Sequence, residues 1–171
     1  MPIQRTDSGF TILEVLIALL IFSLGLLGVA GMLVVSVQTN HSAYLNTQAN
    51  FLAQGMLERM RANGVGVWKH SYDKTYSSAT QGNPNTCISP AVCSYTAVAQ
   101  RDGIVFSNQL AAFMPNATVT IRCVSPTAPT DDQIVDRTPY TGQCTMTMQF
   151  AQSTLENQTT QPETLSWVYQ P

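Results

Sequence analysis

Residues Ser8 to Gly31 read SGFTILEVLIALLIFSLGLLGVAG, an apolar run interrupted by a single carboxylate, Glu14. From Val15 to Val37 there are 23 residues without a formal charge. As a helix rising ~1.5 Å per residue they extend about 35 Å, enough to cross a ~30 Å hydrocarbon core. The expected membrane span is therefore about 15–37. Glu14 sits at its mouth, four residues after Phe10. A carboxylate at the centre of a membrane helix costs roughly 2.5 to 3.5 kcal/mol, and less near an interface. Such a group either stays at headgroup level or finds a partner.

The flank that precedes the run is only MPIQRTDSG, residues 1–9. A secretory signal places its small-residue cleavage site after the apolar region. Here the small pair Ser8-Gly9 comes before it, so a cut after Gly9 leaves the helix on the mature chain. An uncut single-pass anchor fits the same composition. Arg5 favours a cytoplasmic amino terminus, which puts the polar remainder on the periplasmic or extracellular side.

The 171 residues make room for about one domain beyond the helix. The net charge is −2 and no basic run occurs, which disfavours nucleic acid bound through a general phosphate-neutralising surface. Cys87, Cys93, Cys123 and Cys144 all lie past the apolar run. An even count in a small polar domain across a membrane reads as two disulfides, with free buried thiols as the alternative. No pair has C-x-x-C spacing and no histidine lies beside them, so no zinc or other metal site is expected.

The segment Phe10-Thr11-Ile12-Leu13-Glu14, after a short leader ending in Gly9, resembles the amino-terminal signature of type IV pilins and pseudopilins. The resemblance runs on through GLLGVAGMLVVSVQTNHSAYLNTQANFLAQGMLERMRAN, Gly25 to Asn63, where it is nearer the minor pilin PilV subfamily than the major pilins. QANFLAQGM and ERMRAN carry most of that narrower match.

The resemblance implies a leader, 1–9, removed by prepilin peptidase. The same enzyme would methylate the new amine of Phe10. Glu14 would then attract the amino terminus of a neighbouring subunit during assembly. The chain would sit in the bacterial inner membrane by a single pass, head periplasmic, and pass into a pilus fibre at the cell surface. Implied partners are the major pilin, other minor pilins, the inner-membrane assembly platform and a possible tip adhesin. The implied work is initiation of pilus assembly in a priming complex at the tip, with support of adhesion or twitching motility. A type II secretion pseudopilin shares the leader chemistry, and a tip adhesin or DNA-uptake pilin is the binding-class alternative.

Gly25, Gly28 and Gly31 recur at three-residue spacing. Each costs a helix interior about 1 kcal/mol relative to alanine. They read either as small-residue packing between membrane helices or as a segment softened for helix loss on assembly, as the resemblance implies. Major pilins often place a proline near that point. This chain has none between Pro2 and Pro84.

No strong breaker occurs from Gly31 to Asn63, so one helix over 10–63 is expected, with a membrane half and an amphipathic half. Leu45, Ala49, Leu52, Met56 and Met60 form the stripe that docks on a head, opposite Gln48, Asn50 and Gln54. Glu58, Arg59 and Arg61 read as a solvated end. NGVG after Ala62 supplies a stop, with Asn63 or Gly64 near the cap.

The head, 64–171, is expected to open with a long irregular region over 64–100. A short helix is expected within Asp102 to Pro115, with Val105, Leu110 and Phe113 inward. Two half-buried strands follow by alternation. TVTIRCV turns Val119, Ile121 and Cys123 inward; CTMTMQF does so with Cys144, Met146, Met148 and Phe150. Antiparallel neighbours put Cys123 opposite Cys144, which leaves Cys87 with Cys93, although four cysteines allow three connectivities. LSWVY, with Leu165, Trp167 and Tyr169 on one face, closes the sheet. The class is thus α+β, a long helix packed on a small antiparallel sheet with disulfides. Asp131, Asp132 and Asp136 sit in a long loop and read as solvated charges more readily than as calcium ligands. His41 and His70 have no nucleophile pattern around them, and no H-E-x-x-H, G-x-S-x-G or phosphate loop occurs. No enzyme and no cofactor are expected.

Overall fold

The computed structural model describes residues 9–87, 93–125, 130, 140–153 and 160–171. Helix α1 spans Ile12–Ala62. The chain divides into two compact units, residues 1–41 and 42–171.

The first unit contains the apolar part of α1. Its large side chains, from Phe10 through Val37, lie exposed along the whole run. The helix is continuous through Gly25, Gly28 and Gly31, and a Cβ at any of the three would meet nothing within 4 Å.

The second unit holds the outer half of α1 and an antiparallel sheet. Strands β1 (Thr75–Ser77), β2 (Thr118–Val124), β3 (Gln143–Ser153) and β4 (Thr160–Tyr169) lie in the order β1-β2-β3-β4. Ala49, Leu52, Met56 and Met60 of α1 are buried, and Leu45 is half-buried against the same core. Across from them lie Val119 and Ile121 of β2 and Met146, Met148 and Phe150 of β3, all buried. Leu165, Trp167 and Tyr169 of β4 pack against that core half-buried. Two polar contacts fix the helix on β4. The Trp167 indole donates to Asn50 Oδ1 at 2.9 Å, and the Tyr169 hydroxyl donates to Met60 Sδ at 3.2 Å.

Alternation along β2 and β3 sets the register. Ile121 pairs with Met146 and Cys123 with Cys144, so the two cysteines face the same core side. They are joined as a disulfide, and Cys87 is joined to Cys93.

The stretch 64–100 departs from the irregular reading. Helix α2 covers Gly64–Trp68, β1 follows, a single 3₁₀ turn occupies Asn85–Cys87, and α3 starts at Tyr95. Helix α3 runs Tyr95–Phe113, 19 residues, well before the expected start at Asp102. Ser94 caps it by accepting from Ala97 N at 3.2 Å. The inward face also differs. Ala99, Asp102, Gly103, Phe106, Ser107 and Leu110 are buried, whereas Val105 is only partly covered and Phe113 is 48% exposed. The reason is phase: 99, 102/103, 106 and 110 form the i, i+3/i+4 stripe, and that stripe contains an acid and a glycine where apolar residues were expected.

The end of α1 is also different from a simple stop. Ala62 ends the helix, and Asn63 then caps α2, its Oδ1 accepting from Gly66 N at 3.3 Å. Asp131, Asp132 and Asp136 lie outside the described residues, as does most of the expected leader.

Candidate functional site

Two places in the chain hold chemistry that packing alone does not require. The first is the start of α1. Thr11 precedes the helix, and the Glu14 amide donates to its carbonyl at 3.1 Å and its Oγ1 at 3.3 Å. Thr11 thus satisfies a donor of the first turn, as an N-cap residue does. Glu14 lies in that first turn, where the helix dipole favours a carboxylate. Phe10 is 83% exposed, and Gly9 before it has open space around its Cα. The Gly9-Phe10 peptide bond is therefore outside regular structure and accessible. Among the described residues Glu14 makes no ion pair. Behind it the helix is long and apolar enough to cross a membrane, and its most apolar stretch is not buried in the chain itself.

The second place is a buried polar junction in the head. Asp102 of α3 accepts from the Tyr72 hydroxyl at 2.7 Å and lies 3.6 Å from an Arg59 guanidinium nitrogen. Asn63 Nδ2 donates to the Tyr72 oxygen at 3.0 Å and to the Tyr95 carbonyl at 2.8 Å. The Tyr76 hydroxyl donates to the Tyr72 carbonyl at 3.2 Å. Burial, followed by the hydrogen bond to Asp102, pushes the Tyr72 hydroxyl's pKa well up. Burial does the same for Tyr76. The Asp102 carboxylate is 7% exposed and Arg59 is 32% exposed, so Arg59 is no solvated end but the cation that faces a buried acid. This pairing links the ERMRAN end of α1 to α3. Sequence reading missed Asp102, although an acid in the stripe Ala99, Gly103, Phe106, Leu110 was the available signal.

His70 is the one expected catalytic bystander that does engage another group. Its Nδ1 lies 2.9 Å from Asp73 Oδ2, and that oxygen also accepts from Cys123 N at 3.2 Å. The arrangement ties the turn before β1 to β2 and holds no nucleophile. Among the described residues there is no group of three or more His, Cys, Asp or Glu side chains placed to hold a metal ion.

The fold is that of a type IV pilin: a long apolar amino-terminal helix whose outer half packs on a small four-stranded antiparallel sheet, with two disulfides. Two family models match the chain. The one described as type IV pilin Tt1218-like matches residues 31–105, and the prokaryotic N-terminal methylation motif matches residues 4–30. Together with the fold they support a type IV pilin, a structural subunit anchored by its amino-terminal helix. Neither the curated proteins nor the solved structures searched give a match.

The two matched regions meet between Ala30 and Gly31, and they divide the chemistry between them. The methylation motif holds Gly9, Phe10 and Glu14. The pilin match holds Arg59, Asn63, Tyr72 and Asp102, the whole of the polar junction.

Proposed function

We propose that this chain is a minor pilin of a type IV pilus, similar to the PilV subfamily. Prepilin peptidase cleaves it after Gly9 and methylates the amine of Phe10. The span 15–37 then holds it in the bacterial inner membrane with the head, 64–171, periplasmic. On the assembly platform it joins other minor pilins in a priming complex at the filament tip, below which the major pilin polymerises. Support of adhesion or twitching motility follows from that position.

One observation carries the reading. An accessible Gly9-Phe10 bond lies next to a carboxylate in the first turn of an apolar helix that the chain leaves uncovered. In lipid or in a dry bundle of helices an unpaired carboxylate is costly, and an ammonium placed beside it removes the cost. Cleavage creates such an ammonium on every subunit. Glu14 then sets the register of one helix against the next and takes no part in bond chemistry. Gly25, Gly28 and Gly31 allow neighbouring helices to approach closely and lower the cost of local helix loss.

The test is Glu14→Ala expressed at the native level. Membrane insertion should be unchanged, and the amount of the protein in sheared pili should fall. Normal incorporation into the fibre would remove this role for Glu14.

A further inference from the structure

The head contains a groove of about 310 Å³ between β1 and α3, and every residue lining it is described. Gly103 is part of its wall. A Cβ on Gly103 would stand 2.7 Å from Tyr76 Cε1, so only glycine lets the Tyr76 ring lie against α3. A Cβ on Gly82 would stand 3.3 Å from Ile104 Cγ2, so the strap that follows β1 also runs close to α3. That strap is clamped. Gly82 N donates to Asn108 Oδ1 at 3.1 Å, and Asn108 Nδ2 donates back to Gly82 O at 2.9 Å.

The groove holds one cation. Lys74 Nζ lies 5.3 Å from the centroid of the Tyr76 ring, and among the described residues no carboxylate is within ion-pair distance of it. Burial of its stem lowers the ammonium's pKa from the ordinary lysine value. Lys74 is exposed, and among the described residues its ammonium has only a ring face as a protein partner, which leaves it available to an anion. A second polar group lines the same place: Ser107 is 4% exposed overall, and among the described residues its hydroxyl shows no bond back to its own helix, so it is left to the groove. Other helical hydroxyls in this chain, such as Thr39 and Thr47, bond back to the carbonyl four residues earlier. Thr80 donates its hydroxyl to Ser77 O at 3.2 Å and keeps its oxygen free to accept, and Gln100 adds an amide at the rim.

We propose that this groove is a binding site for a monosaccharide-sized carboxylate, an acidic sugar of the uronate class, whose carboxylate meets Lys74. A single ammonium without an arginine or a second lysine matches a monoanion better than a phosphate dianion. The volume suits one sugar ring at the small end of ligand pockets. Ring hydroxyls pair with Ser107, Thr80 and Gln100, and the apolar face of the ring lies on Ile104. The site does not depend on the assembly reading, since all of its residues belong to the head.

The full-length protein in detergent micelles is titrated with glucuronate by calorimetry, with glucose, acetate and inorganic phosphate alongside. Glucuronate should bind saturably. Lys74→Gln should weaken it about tenfold or more, the scale of a lost charge-assisted hydrogen bond. Ser107→Ala, which leaves the Lys74–Tyr76 stack intact, should weaken it by a smaller factor. Arg122→Gln, on the exposed side of β2, should leave it unchanged. Circular dichroism melting confirms that each variant is folded, and Ser107→Ala carries the test if Lys74→Gln is not. The proposal is overturned by no saturable binding of glucuronate or by equal affinity in the folded variants. Glucose or acetate binding as tightly as glucuronate, or phosphate binding more tightly, also overturns it.

Discussion

Tyr72 donates its hydroxyl to Asp102 across 2.7 Å, joining residues thirty positions apart inside the head. Arg59 and Asn63 reach the same pair from the last turn of α1 and its end. The contact explains why the chain after α1 turns back immediately through the short α2. Asn63 must cap α2 and bond Tyr72 at once, and only a tight turn brings Tyr72 within reach.

Removing one member leaves the others buried without partners. Tyr72→Phe is expected to destabilise the head by about 1 to 3 kcal/mol, the cost of losing a hydrogen bond to a charged acceptor. Asp102→Ala should cost more, because it strands both Tyr72 and Arg59. Denaturant titration of the full chain in micelles, followed by circular dichroism, measures both. A Tyr72→Phe midpoint equal to the wild type would show that Asp102 is satisfied without it.

The tyrosines set an alkaline limit. Burial raises the pKa values of Tyr72, Tyr76, Tyr140 and Tyr169 in the folded head above the ordinary value of 10.0. Below pH 10 both states are protonated at these residues and the stability is fully present. Above pH 10 the unfolded chain releases these protons while the folded chain retains them. The unfolded state then binds fewer protons, so stability falls as pH rises. The head should unfold cooperatively at high pH, with the tyrosinate absorbance of these residues rising together with loss of secondary structure. Absorbance that rises fully while the sheet persists would contradict the burial of these hydroxyls.

Glycines at two positions should respond with opposite signs. Gly103→Ala drives a Cβ to 2.7 Å from the Tyr76 ring and should destabilise by roughly 1 to 3 kcal/mol. Gly55→Ala, in α1 with nothing within 4 Å of its Cβ, should stabilise by up to about 1 kcal/mol. Thermal melts of the two variants side by side read the difference.

The Cys123–Cys144 bond closes a separation of 21 residues between paired strands. The double variant Cys123→Ser, Cys144→Ser should lose about 3 kcal/mol, mostly through a freer unfolded chain. Equal denaturation midpoints with and without the bond would show that it contributes nothing.

Strong periodicity was legible in the sequence. The apolar run, the Leu45 to Met60 stripe and the alternation of Cys123 and Cys144 on β2 and β3 each repeat often enough to declare a face. The region 64–100 does not. Strand β1 is three residues long, too short to alternate, and α2 is five residues punctuated by glycines. Helix α3 opens on YTAVAQ and buries Asp102, Gly103 and Ser107, so its inward face does not read as apolar. The polar junction was illegible for a related reason. Asp102 is tolerable in that face only because Tyr72 and Arg59 meet it, and nothing in local spacing brings those three together. At the amino terminus the residues named from the sequence, Gly9, Phe10 and Glu14, lie as an exposed bond beside the first helical turn.

The most direct measurement is the intact mass and amino-terminal sequence of the protein purified from its native membrane, before and after reduction. The account predicts a chain that begins at N-methylated Phe10 and gains four hydrogens when its two disulfides are reduced. A chain that still begins at Met1 or Pro2, in cells with active prepilin peptidase, would contradict it and leave an ordinary membrane anchor.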